Sequence, residues 1–237
     1  MESMFSLLSL GADGWGDELL IGAWVTVRLA LATLPFGLAL GLAVALAKNS
    51  RQPSLVLAGN IYTTIFRGLP ELLTLFLVYY GGQIVIQKVA RLFTDANFEV
   101  NGFLAGMVAL GFVFSAFSSE AFLGAFKAIS YGQNEAGHAL GLSNWQILRL
   151  IIMPQIVRLT LPTLSNLWLI LLKDTSLVSV IAIEDLMRST YIAVGATKQP
   201  FPFYLAACLI YLCMSIVSSF GISAIERWSE RGVRQAA

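Results

Sequence analysis

A few charged side chains stand inside otherwise apolar runs, and they are the residues of this chain best placed to do chemistry. Charged residues make up 12% of the 237 residues and hydrophobic ones 57%. Glu71 follows Arg67-Gly68-Leu69-Pro70 within the apolar stretch 55–86. Glu120 follows Ser115, Ser118 and Ser119 within the stretch 103–126. Lys173-Asp174 closes the stretch 151–172, and Thr175 and Ser176 come next. A charge near the middle of a bilayer costs about 2.5–3.5 kcal/mol on insertion scales. Such groups pair, face water or protein, and mark ion or substrate paths. Carboxylates at these positions can hold a cationic or ammonium group in transit, or relay ions.

Each charge also has a purely structural reading. Arg67 and Glu71 are spaced i,i+4, so they can neutralise each other. Glu120 can satisfy a neighbouring helix. Lys173 can anchor at the interface, with Asp174, Thr175 or Ser176 capping the next helix. On the sharper reading, a helix starting at Ser176 presents free N–H groups and a positive dipole end to a substrate carboxylate.

Other chemistries are excluded early. His138 is the one histidine, so no metal site is expected. Cys208 and Cys213 lie within an apolar run and read as buried small hydrophobes. No P-loop sequence occurs, so ATP is not bound in that way by this chain. The net charge of +1 and the lack of a basic run argue against nucleic acid. The chain reads as a non-catalytic protein without a cofactor of its own.

The elements that position these residues are membrane helices. Ordinary soluble domains carry about 25% charged residues; this chain, with a mean hydropathy of +0.75, needs lipid as its solvent. Five spans are expected, over roughly 19–46, 55–86, 103–126, 151–172 and 201–225. The first carries Arg28 near one end, Pro35 as a site for a kink, and Gly37 and Gly41 as a close-packing face. The second is broken at Arg67–Glu71. Residues 177–190 are too short to cross and suggest a short or re-entrant helix. A polar loop spans 87–100, with Lys88, Arg91, Asp95 and Glu99, and the loop 195–202 resets the chain before the last span. Residues 1–18 suit the outer membrane interface: Leu7, Leu8, Leu10 and Trp15 are apolar anchors, and Glu2, Asp13, Asp17 and Glu18 supply only negative charge. No lysine or arginine stands at the start, so no cleaved signal peptide is read.

Between the third and fourth spans lies the polar segment 134–154. Glu135, Ala136 and Gly137 open a short helix with Ala136, Ala139 and Leu140 on one face, and Gly141 stops it. Ser143 and Gln146 form a capping box for a new helix, with Leu142 and Ile147 placed as a hydrophobic staple. Met153-Pro154 predicts a kink or break. The result is a stiff helix–turn–helix elbow.

The spacing Glu135-Ala136, Gly141, Ile151 and Pro154 resembles the EAA motif of ABC importer permeases, with Gly137 in place of the second alanine and Met153 in place of leucine. The strings from Tyr62 to Leu72, Phe114 to Phe126, and Lys173 to Leu177 resemble segments of polar amino-acid permeases of the histidine/lysine/arginine/ornithine and octopine/nopaline branch. The resemblance implies an all-α polytopic membrane protein with the type I importer permease fold: five transmembrane helices plus a cytoplasmic coupling helix, in one domain covering 1–237. Glu135, Ala136, Gly137, Gly141 and Pro154 are then the coupling residues that dock on an ATPase subunit. Tyr62, Glu71, Ser119, Glu120, Lys173, Asp174 and Ser176 are candidates for the substrate path. The resemblance further implies ATPase subunits that carry ATP and magnesium, a second permease subunit (identical or homologous), and a periplasmic solute-binding protein. The substrate would be a polar amino acid or opine, and the carboxylates suit a basic one.

Five spans put the chain ends on opposite sides of a bacterial inner membrane. With the N-terminus outside, Lys48, Arg51, Lys127, Arg149 and the tail 226–237, with Arg227, Arg231 and Arg234, fall in the cytoplasm. The competing class is an ion-coupled secondary transporter or channel that uses Arg67, Glu71 and Glu120 as a relay and needs no ATPase.

Overall fold

The computed structural model describes residues 4–11, 14–92, 100–181 and 183–230. Glu2, Asp13, Asp95, Glu99, Arg231 and Arg234, which figured in the charge argument above, lie outside them. Every regular element among the described residues is helical: α1 (Met4–Leu7), α2 (Gly16–Lys48), α3 (Pro53–Gly68), α4 (Glu71–Ala90), α5 (Gly102–Ala128), α6 (Gly132–Ala139), α7 (Asn144–Ile147), α8 (Met153–Asp174), α9 (Leu186–Thr197) and α10 (Pro200–Glu230). Five stretches are long and apolar enough to cross a membrane: Gly16–Lys48, Glu71–Ala90, Gly102–Ala128, Asn144–Ile181 and Pro200–Arg227.

α5 is the axis of the bundle. Its run of Gly, Ala and Ser side chains lets neighbouring backbones come close, as membrane helices require. Asn101 caps it by accepting the Leu104 N–H at 3.2 Å. α2 runs beside it in the same direction, and the expected glycine face is the contact. A Cβ on Gly37 would lie 2.6 Å from the Phe114 ring, and one on Gly41 would collide with Ser118. Pro35 sits within α2, which continues through it.

The second apolar region is two helices. Leu69 takes an extended conformation (φ −88°, ψ 143°), as the residue before a proline is pushed to do. The break therefore falls at Leu69-Pro70, with Arg67 on one side and Glu71 on the other. α4 extends to Ala90, so the first residues of the expected polar loop, including Lys88, are helical.

The expected break at Met153-Pro154 is absent as a break. A single π-turn, Leu148–Ile152, joins α7 to α8, and the Met153 N–H donates to the Leu148 carbonyl. The wider turn makes room for a proline that has no N–H to give. At its far end α8 tightens into a 3-10 turn, Thr175–Ile181, because the Thr175 hydroxyl donates back to the Leu172 carbonyl at 2.7 Å. The helix expected to start at Ser176 therefore does not exist, and no free N–H groups are presented there. The cap of the next helix, α9, is Asp185, whose Oδ1 accepts the Arg188 N–H at 2.9 Å.

Three apolar clusters stack along the bundle. Leu7, Leu19, Leu186 and Phe203 close the end that carries α9. Leu29, Leu110, Phe114 and Val178 fill the middle. Ala45, Phe122, Leu123 and Ile156 close the end that carries α6 and α7. Cys208 and Cys213 are exposed, not buried. They stand on α10, which has little of its span covered by the rest of the chain, and apolar composition alone does not separate a core face from a lipid face.

Candidate functional site

In the middle of the bundle, α4, α5 and α8 enclose a cavity of about 140 Å³. Leu110, Val113, Phe114 and Phe117 of α5 and Leu167, Ile170 and Leu171 of α8 make its walls apolar. Two acids face into it: Glu71, the first residue of α4 after the Pro70 break, and Asp174, the last residue of α8. They are close enough for their charges to interact. Neither forms an ion pair among the described residues. The Lys173 charge acts on Asp174 from the side, but two carboxylates in a low-dielectric pocket without an ion-paired cation can receive one.

The pairing expected between Arg67 and Glu71 is replaced by another. Arg67 Nη1 lies 3.2 Å from Glu120 Oε1, and Lys48 Nζ lies 2.6 Å from the same oxygen. Lys48 also donates to Thr63 Oγ1 at 3.1 Å. One carboxylate on α5 thus ties together the ends of α2 and α3. Glu120 occupies the face of α5 that lines the cavity, seven residues after Val113, but it already has two cations from its own chain.

The remaining path candidates do not line the cavity. Tyr62 bonds α3 to α5, with its hydroxyl 2.6 Å from Ser115 Oγ and donating to the Phe112 carbonyl at 3.2 Å. Ser119 is fully buried and donates to the Ala116 carbonyl of its own helix. Lys173 is exposed and Ser176 half-buried. Phe117 is the residue that sequence reasoning missed. It lines the cavity, and its ring lies 5.5 Å from the Arg67 guanidinium carbon. Its signal in the sequence was spacing alone, one turn before Glu120 on the same face.

The elbow has the predicted joints. Gly141 takes φ +77°, its N–H donates to the His138 carbonyl at 2.9 Å, and the Leu142 N–H donates to the Gly137 carbonyl at 3.1 Å. This crossed pair closes the end of α6. Both halves of the capping box form: the Gln146 N–H donates to Ser143 Oγ, and the Ser143 N–H donates to Gln146 Oε1. Ala136, Ala139 and Leu140 are exposed, and Gly137 is buried. A Cβ on Gly137 would lie 2.6 Å from Ile147, whose side chain is 1% exposed. This is why glycine stands where the motif has a second alanine. Glu135 and His138 point outward, beside the exposed apolar side chains of Tyr131, Leu140 and Trp145. The surface is rigid from behind and unsatisfied in front.

Known proteins share this arrangement. The chain is 42% identical over 231 residues to the nopaline transport system permease protein of Agrobacterium fabrum, covering 97% of this chain and 98% of that one. It is 37% identical to the arginine ABC transporter permease protein of Escherichia coli, covering 90% and 95%. It is 35% identical to the histidine/lysine/arginine/ornithine transport system permease protein of the same organism, covering 94% and 98%. Among solved structures, an amino acid ABC transporter crystallised with histidines superposes with a TM-score of 0.76 at 30% identity, over 90% of this chain and 94% of that one. An inward-facing methionine ABC transporter shares the fold at the same TM-score and 18% identity, over 93% and 100%. The pattern of the family described as binding-protein-dependent transport system inner membrane component matches residues 37–235. The chain belongs to that family and is a membrane-embedded permease subunit of an ABC importer.

Proposed function

We propose that this subunit moves a basic amino acid or an opine across the inner membrane by alternating access, driven by ATP hydrolysis in separate subunits. The observation that carries the substrate class is the cavity lined by Glu71 and Asp174, neither of which is ion-paired among the described residues. The names of the relatives agree, since they include permeases for nopaline, octopine and arginine. A cationic group entering between the two acids relieves their mutual repulsion and replaces the water they lose on burial. The apolar walls exclude competing water and fit the aliphatic stem of a long side chain.

The elbow end faces the cytoplasm in this reading, and the α9 end faces the solute-binding protein. ATP and magnesium belong to the ATPase partner. Glu135, Ala136, Gly137 and Gly141 of the elbow, with Pro154 behind it, sit in or against that partner's groove. A second permease subunit, identical or homologous, completes the pore. When the ATPase subunits close, a capped elbow carries the motion into α5 and α8 as a rigid body, where a loose loop would absorb it. Since α8 ends on Asp174, that motion changes the cavity directly.

The test is uptake into proteoliposomes that contain the permease and its ATPase, with the solute-binding protein supplied inside or outside. ATP-dependent uptake of arginine or an opine is expected. Gly141→Asp, which places a side chain at φ +77° and disturbs the elbow, is expected to cut uptake at least about tenfold while leaving the assembled complex intact. Uptake that runs on an ion gradient without ATP overturns this reading.

A further inference from the structure

The cavity accounts for the cationic part of a substrate, but an amino acid or opine also carries carboxylate. Phe117 lines the cavity, and the Arg67 guanidinium carbon lies 5.5 Å from the centroid of that ring. Resting on the cavity reading above, we propose that Arg67 is the carboxylate-recognising residue of the path and makes the subunit select dipolar substrates over simple amines.

Glu120 does not require Arg67. Lys48 holds the same oxygen at 2.6 Å and is itself 7% exposed, the more buried of the two cations. Arg67 is 45% exposed, and its contact with the shared oxygen is the longer one, 3.2 Å. Lys48, Arg67 and Glu120 together carry one net positive charge, and the surplus falls on the exposed member. A guanidinium presents five N–H donors in a planar fork matched to a carboxylate. Arg67 therefore has donors left over, and they lie beside Phe117.

The geometry also sets the order of the groups. Val113 and Phe117 line the cavity and Glu120 follows on the same face of α5. At 1.5 Å of rise per residue, the level of Val113 lies about 10 Å from that of Glu120. The cavity wall on α5 runs from Leu110 to Phe117, so an extended basic amino acid held by Glu71 and Asp174 within it spans a separation of this order. A substrate with its cation between Glu71 and Asp174 can direct its carboxylate past Phe117 toward Arg67. The dipole then lies along the path, with the carboxylate leading toward the elbow end. Arg67 precedes the Leu69-Pro70 break and Glu71 follows it, so the two ends of the substrate would grip opposite sides of one hinge.

The experiment measures equilibrium binding to the permease–ATPase complex in nanodiscs without solute-binding protein, so that only this path selects. The probes are two pairs: L-arginine with agmatine, and L-ornithine with putrescine. Each pair keeps the side-chain cation and differs by the carboxylate. The wild-type complex is expected to prefer the amino acid by about tenfold or more, the size expected of a charge-assisted bidentate contact. Arg67→Gln is expected to bring that ratio near one by weakening amino-acid binding while amine binding stays as it was, and amine binding also reports that the cavity has kept its fold. Arg67→Lys should keep part of the preference. An unchanged ratio in Arg67→Gln, or equal affinity for both members of each pair in wild type, overturns the proposal. Loss of amine binding in Glu71→Gln with Asp174→Asn supports the cavity itself. If neither probe of either pair binds the wild type, the cavity reading fails and the Arg67 proposal fails with it.

Discussion

Two charged groups beside α5, one tied to its Glu120 and one across the cavity it lines, are built on opposite principles. Around Glu120 the chain brings Lys48 from α2 and Arg67 from α3 onto one oxygen. Around the cavity it brings Glu71 and Asp174 together, and no cation among the described residues forms an ion pair with either. In the first group the Lys48–Glu120 contact is closed by the fold and holds helices together, while Arg67 is its exposed edge. The second is left open and gains from whatever positive group arrives. The difference separates the Lys48–Glu120 tie from the charges left open to a substrate, although in sequence all five acids and bases look alike.

The sharpest way to break this contrast is at Glu120. Glu120→Gln leaves Lys48 with no counter-charge at a site where it is 7% exposed. Removing one partner of a buried pair costs about 3–5 kcal/mol, reduced here because Glu120 is 34% exposed. The expected outcome is a large drop in melting temperature or in the yield of assembled transporter, and an unaltered melting curve would show that the cluster is not a structural tie. The second test removes the open pair. Glu71→Gln with Asp174→Asn should leave stability equal or slightly raised, because repulsion is removed, while uptake falls at least about tenfold. If stability falls and uptake persists, the two groups have been assigned the wrong way round.

A fourth acid refines the comparison because it is neither closed nor open. Asp185 is fully buried at the cap of α9. One oxygen accepts the Arg188 N–H, and the other has no partner. Burial pushes its carboxyl up from 3.8 to about 6. The folded protein therefore holds this proton where the unfolded chain has released it. Stability falls as pH rises through the window from about 4 to 6, and the loss is complete above it, at most about 3 kcal/mol. Asp185→Asn keeps an acceptor for the cap and cannot ionise. Its melting temperature should exceed that of wild type at pH 7.5, and the gap should close by pH 4. A gap that stays constant with pH would mean that Asp185 titrates alike in the folded and unfolded chain, so that burial has not raised it.

The elbow was legible because its joints are local. Gly141, Ser143 and Gln146 act within a few residues of one another, and capping chemistry at that range is decided by sequence. The five spans were legible for the same reason, since length and apolar content suffice. The charge pairing was not. Arg67 has Glu71 one turn away along the chain, yet its partner is Glu120, because the Pro70 break turns Glu71 out of its reach and the packing of α3 on α5 brings Glu120 into it. Ser176 misled in the opposite direction. It looked like a helix start, but Thr175 turns its hydroxyl back to Leu172 and α8 runs on. Gly137 looked like a tolerated swap for alanine and is required by the approach of Ile147.

The π-turn at Leu148–Ile152 fixes more than the fit of Pro154. It is one residue more than a regular helix needs, and each residue of a helix is about 100° of rotation. The compass bearing of Glu135, Tyr131 and Trp145 around the α8 axis thus depends on that single surplus residue. A version of this chain with a regular helix there could keep its bundle, its cavity and its caps, yet aim its handle about a quarter-turn away from the motor.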